Sequence, residues 1–184
     1  MNRAQAVLAM VLVLGAGAAF SGGSAEELTP ERTAEGYYQV ATMDMTFEWK
    51  VVGDRLEVGI SAPTTGWIAV AFDPSTGMKD ANTIIGFVRN GTAQMEDHFG
   101  TSTRAHQSDV SLGGSRDLSD VSGTESGGTT ELRFSIPLDS GDRYDRPLVQ
   151  GETYTINLAY GSNGADSFTP YHGRARTQIQ VELD

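Results

Sequence analysis

A period of two runs through most of this chain and limits it to a fold built from strands. In MDMTFEWKV the apolar residues Met43, Met45, Phe47, Trp49 and Val51 alternate with Asp44, Thr46, Glu48 and Lys50. Alternation places one set on each face of an extended segment, so one face is bound for a core and the other for water. Gly53-Asp54 supplies a turn, and RLEVGISA alternates again through Leu56, Val58, Ile60 and Ala62, which predicts a hairpin. Three later runs alternate alike: ELRFSIPL and TYTINLAY present an apolar residue at every second position, and ARTQIQVEL does so apart from Thr177. GWIAVAF (66–72) and NTIIGFV (82–88) are apolar on both faces, and predict central strands covered on both sides. Asn90-Gly91, between NTIIGFV and TAQMEDHF, is the favoured pair for a tight primed turn.

No stretch carries a helical period and no segment repeats. Residues 100–130, rich in Gly, Ser and Asp, read as a long loop region. The expectation is an all-β, antiparallel, immunoglobulin-like β-sandwich of about eight strands.

The beginning of the chain stands apart from this pattern. Arg3, an apolar run from Ala6 to Phe20, and small residues ending in Gly23 and Ala25 form a secretory signal peptide over residues 1–25. Its apolar part is short for a bilayer span. Residues 26–37 are expected to be a flexible acidic leader, and 38–184 the domain itself. The destination is then secreted or periplasmic. The chain carries a net charge of −11, and residues 1–25 contribute one Arg and no acid to that balance. Such a surface argues against nucleic acid and anionic membrane as partners, so a membrane would be reached only through another protein. There is no Cys, which removes disulfides, thiolate metal sites, iron–sulfur clusters and covalent c-type haem.

Catalytic motifs are absent: no Ser lies in a G-x-S-x-G turn, and Asp and Glu are too abundant for any pair to stand out. The expectation is a protein that binds or transfers rather than an enzyme. Asp139, Asp142 and Asp145, with Asp117 and Asp120, offer hard oxygen ligands for Ca²⁺, although capping of turns accounts for aspartates in such loops. His98 and His106 read as exposed loop histidines. His172, in FTPYHGRAR ahead of the last strand, can face into the end of a sandwich. Met78 is the odd residue of the loop TGMKDAN, because a thioether neither caps nor relaxes a turn.

Taken in order, GWIAVAF, a Met-containing loop, ANTIIGFVRNG, MEDHF, IPLDSGDRYDRPLVQG, YTINLAYG and YHGRARTQIQVEL resemble a DOMON domain over residues 38–184. That family includes the secreted sandwich modules of dopamine β-monooxygenase-like proteins and the cytochrome domain of cellobiose dehydrogenase. The resemblance implies a DOMON-type sandwich holding non-covalent haem b, with iron between Met78 and His172. It further implies apolar walls from Trp67, Ile84, Phe87 and Tyr171, and a cation from Arg174 or Arg176 for the propionates. One-electron transfer with an unidentified redox partner protein follows. Other members lack the ligands, and the alternative is a haem-free module binding a sugar or other small ligand, with Trp67, Tyr37, Tyr38 and Tyr171 able to stack on it.

Overall fold

Alternation is realised as two sheets that share their apolar faces. The computed structural model describes residues 26–168 and 175–184; residues 1–25, read as the signal peptide, and Tyr171, His172 and Arg174 lie outside the described residues. The strands are β1 (Glu26–Glu27), β2 (Glu31–Arg32), β3 (Tyr38–Thr42), β4 (Met45–Val52), β5 (Arg55–Ala62), β6 (Ile68–Phe72) and β7 (Asn82–Arg89). They continue as β8 (Thr92–Ser102), β9 (Ala105–Ser108), β10 (Ser119–Ser126), β11 (Thr129–Pro137), β12 (Thr153–Tyr160) and β13 (Arg176–Glu182). One short helix, α1 (Asp109–Leu112), follows β9.

A seven-stranded sheet runs β1-β13-β12-β6-β7-β8-β9, and a six-stranded sheet runs β10-β11-β5-β4-β3-β2. All pairs are antiparallel except β1 with β13. Between the sheets lies the main core. Phe47, Trp49, Leu56, Val58, Phe134 and Ile136 come from one side, and Val70, Phe72, Ile84, Ile156, Leu158 and Ile179 from the other. Each is withdrawn from water at roughly 25 cal/mol per Å² of apolar surface, the main favourable term of the fold.

The turns carry the register. Val52 pairs with Arg55 across Gly53-Asp54, and Arg89 with Thr92 across Asn90-Gly91, whose φ angles of 52° and 73° are those of a primed turn. Two expectations are corrected. Met43 is not the first inward residue of β4: it is 51% exposed and, with Asp44, forms a two-residue turn at φ of 46° and 63° that closes Thr42 onto Met45. A pair needing φ > 0 at both positions ordinarily shows Asn or Gly, so Met-Asp disguised it. Residues 100–130 are not a long loop either. They hold the end of β8, then β9, α1, β10 and the start of β11, whose exposed edge positions explain their polarity. Within the stretch read as a leader, β2 pairs with β3 and β1 with β13.

Candidate cofactor site on the outer face of the seven-stranded sheet

In β6 and β7 every position but the last of β7 is buried, so the seven-stranded sheet must be covered on its outer face as well. There, Trp67, Ala69, Ile85 and Phe87 form a second apolar cluster, packed by Ala159, Ala165 and Phe168. The registers arrange this face in ranks across the strands. Gln178, Asn157, Ala71, Thr83, His98 and Ser108 are consecutive partners in the first rank. Arg176, Ala159, Ala69, Ile85 and Glu96 make the second. Phe87, beside Trp67, belongs to the third, and ranks are two residues apart along the strands, roughly 7 Å. Ala71, Ala69 and Ala159 leave the middle of the face low and flat, whereas Trp67, Ile85 and Phe87 rise around it. Gly161 permits this: a Cβ there would fall 2.2 Å from Trp67 Nε1.

A tight turn over residues 75–80 presents Met78 at the first rank. Ser75 N donates to Lys79 O at 2.9 Å and Lys79 N to Thr76 O at 3.0 Å. The turn is docked on both sides. Towards β8, Asp80 N donates to Gly100 O (2.8 Å) and Met78 N to Thr103 O (3.3 Å). Towards β12, Asn157 Nδ2 donates to Gly77 O (2.8 Å), and Gln178 Nε2 donates to Asn157 Oδ1 (2.9 Å). Met78 itself is half-buried. None of these bonds uses its sulfur, so the turn does not require a thioether.

At the third rank the face is closed by Phe168, whose ring lies 4.9 Å from Phe87. The Ala175 carbonyl accepts from Tyr160 N at 3.1 Å, immediately before Arg176 of the second rank. The segment bearing Tyr171, His172 and Arg174 is therefore bracketed by residues of this face. Ile84 does not line the site as expected; it sits in the main core, since neighbours in a strand point to opposite faces, and Ile85 takes its place. Trp67 and Phe87 are on the face, at 3% and 2% exposure.

His98 and His106 are also corrected. His98 is 3% exposed within β8, its Nδ1 2.7 Å from His106 Nδ1 and its Nε2 2.8 Å from Glu96 Oε2. The alternation could have shown this: Gln94, Glu96 and His98 stand opposite the outward residues of a strand apolar on both faces. A cleft of about 420 Å³ opens here, lined by Glu96, His98, His106, Ser111, Ser167 and Phe168. Burial, and then the neighbouring His98, lower the His106 pKa to about 4. Its depressed value means the unfolded chain takes up the proton first. Stability from this residue is complete above the ordinary value near 6.5 and is lost as pH falls from there towards 4. Denaturation midpoints of His106→Gln should therefore fall less steeply than wild type over that range; parallel curves would contradict the buried neutral imidazole.

Three of the aromatic residues considered for sugar stacking are engaged within the fold, and Tyr171 lies outside the described residues. Trp67 is buried, Tyr38 stacks on Trp49 at 5.6 Å, and Tyr37 Oη donates to Glu57 Oε2 at 2.5 Å.

Two stacked, mostly antiparallel sheets, with a second apolar cluster on the outside of one, define a β-sandwich. The DOMON domain family matches residues 41–161, and the chain belongs to it. The match includes Met78 and ends before His172. Mouse DBH-like monooxygenase protein 1 (Mus musculus) is 24% identical over 135 residues, covering 73% of this chain, which spans only 21% of that protein's length. Among solved structures, the fold is similar to the cytochrome domain of Myriococcum thermophilum cellobiose dehydrogenase, at TM-score 0.63 and 11% identity over 84% of this chain and 88% of that one. It is also similar to the cytochrome b domain of pyranose dehydrogenase from Coprinopsis cinerea, at TM-score 0.59 and 13% identity over 79% and 80%.

Proposed function

We propose that this chain is a DOMON module of the cytochrome kind, carrying non-covalent haem b and passing single electrons. The observation that carries the reading is the outer face. A flat patch of alanines, Ala71, Ala69 and Ala159, lies between the docked turn of Met78 and the residues on either side of the His172 segment. Both solved neighbours are cytochrome domains, which supports it.

The donor set suits the group. A thioether is a soft ligand with no proton to lose, and a neutral imidazole is the commonest nitrogen ligand. Haem held by Met78 and His172 would supply one-electron transfer, and Met/His ligation would raise its potential. Trp67, Ile85 and Phe87 would keep water from the edge of the macrocycle. The alanines would allow close approach. Arg176, exposed at the end of the second rank, and Arg174 would meet the propionates. Tyr171 would complete the wall. Nothing here calls for a catalytic residue, so we read the chain as a carrier and not an enzyme. The apolar leader supports export to the periplasm or beyond. The charge of −11 favours a basic redox partner, met by electrostatic steering.

The test is an absorbance spectrum of protein expressed with haem supplied. A sharp Soret band, with a distinct α band on reduction, is expected at one haem per chain. Met78→Ala should convert the spectrum to a five-coordinate or His-only form and lower the potential. Met95→Leu, a change in the main core, should not. Protein that stays colourless after addition of hemin ends the reading.

A further inference from the structure

Away from that face, β8 turns a second cluster inward, and its residues come from four separate stretches of chain. Asp97, Asp117 and Asp145 each bring a carboxylate oxygen to within 4.8 Å of the others. Asp97 is 2% exposed and Asp109, at the start of α1, is fully buried. Asp117 N donates to Asp97 Oδ2 at 3.2 Å and Ser115 Oγ to Asp117 Oδ2 at 2.9 Å, and the Asp145 carboxylate is hydrogen-bonded with Ser140 and Asp117. Asp97 Oδ1, Asp145 Oδ1 and both oxygens of Asp109 are buried with no hydrogen-bond partner. Asp109 shares the field of this cluster, being acted on by Asp145, Asp142 and Asp117.

Among the described residues none of the four carboxylates forms an ion pair. The neighbouring arginines are engaged elsewhere, Arg116 with Met95 O and Arg143 with Leu112 O. A buried carboxylate without partner or cation is among the costliest arrangements a fold can hold, and it takes up a proton instead. Burial first, and then mutual repulsion, push Asp97 up to about 8, Asp109 to about 7 and Asp145 to about 6. The cluster thus needs protons or a cation.

The surroundings favour the cation. Asp142 ties the loop after α1 to the loop after β11: it accepts from Ser115 N at 2.5 Å and from Tyr144 N at 3.0 Å. These two loops are thereby held around Asp97 with their own acids, Asp117 and Asp145, half-buried beside it. The first leads into β10 and the second leaves β11, both strands of the six-stranded sheet, whereas Asp97 belongs to the seven-stranded one. We propose that Asp97, Asp109, Asp117 and Asp145 form a calcium site that staples the two sheets together at this edge.

The choice of metal follows from the donors. All are carboxylate oxygens, and His98 and His106 lie on the other face of the sheet, so zinc and copper lack the nitrogen they prefer. Acids offered from a strand, a short helix and two loops suit the variable six- to eight-oxygen shell of calcium better than the tight octahedron of magnesium.

The experiment is thermal unfolding and isothermal titration of protein first stripped with EGTA. Saturating CaCl₂ should raise Tm by roughly 5–10 °C with one calcium per chain, and MgCl₂ at the same concentration should raise it much less. The double variant Asp97→Asn/Asp145→Asn keeps the shapes and removes two unpaired charges. In EGTA it should unfold no lower than wild type, and it should lose the calcium shift and the heat. Absence of heat and shift in the wild type at 10 mM-order calcium overturns the proposal, and so does a double variant that responds like wild type. Should the double variant fail to fold, Asp145→Asn alone is decisive by the same two readouts. Neither readout involves haem, so a colourless protein leaves this test intact.

Discussion

Gly100→Ala is expected to dislodge the Met78 turn without touching either proposed ligand. A Cβ at this position would lie 1.6 Å from the carbonyl oxygen of Met78 and 2.7 Å from its carbonyl carbon. Both are backbone atoms, so no side chain can rotate aside. The same pair of chains is bonded in both directions, Asp80 N to Gly100 O at 2.8 Å and Gly100 N to Ala81 O at 2.9 Å. Moving one atom apart therefore strains two hydrogen bonds. Overpacking of this kind costs about 1–3 kcal/mol, and more where backbone must shift. The denaturation midpoint should drop accordingly, and haem-loaded protein should show a weakened Met contribution, as in Met78→Ala. Gly53→Ala serves as a control: its φ of 63° costs roughly 1–2 kcal/mol, but nothing lies within 4 Å, and its hairpin, β4–β5, belongs to the other sheet from β8. A Gly100→Ala protein with wild-type midpoint and spectrum would mean that the turn does not pack on β8 as described.

The fold was largely legible because its cause is a period. Phe47 and Trp49, then Leu56 and Val58, announce a two-residue repeat, and the repeat alone decides which side chains meet. GWIAVAF lacks the repeat for an equally physical reason: the sheet is covered on both sides, so neither face of β6 is free to be polar. Where both faces are apolar, however, the sequence does not say which residue goes where, and Ile84 and Ile85 are indistinguishable until register is known. Turns are the other blind spot. Met43-Asp44 adopts a backbone that its residues do not advertise, and tertiary closure of β3 on β4 imposes it. The site was legible only in part. Met78 stands out by being wrong for its loop, but the docking through Gly77, Gly100 and Asn157 depends on contacts across the sheet. The buried acids were harder still. Asp117 and Asp145 were visible as loop residues, whereas Asp97 and Asp109 sit in regular elements and join them only through the meeting of four distant segments.

The two tryptophans separate the fold from the site. Trp49 is fully buried between the sheets, stacked with Phe47 at 5.3 Å and Tyr38 at 5.6 Å, and its Nε1 donates to Glu182 O at 3.1 Å across to β13. Its removal takes away a large apolar surface, leaves a cavity between two sheets that cannot close, and orphans a carbonyl. Trp49→Ala should cost about 3–5 kcal/mol, a large share of the roughly 5–15 kcal/mol that holds a domain. Trp67 is nearly as buried, but on the outer face, where its cover is a connecting segment and not a second sheet. A segment can settle into the gap, so Trp67→Ala should cost less, about 1–3 kcal/mol. Its larger consequence should be on haem, with affinity reduced tenfold or more because water gains the edge of the bed. Urea denaturation of the haem-free protein and hemin titration of each variant measure the two effects separately. A reversed order, with Trp67→Ala the less stable protein and hemin binding unchanged, would make the outer cluster a structural core and remove the argument that it was kept for a ligand.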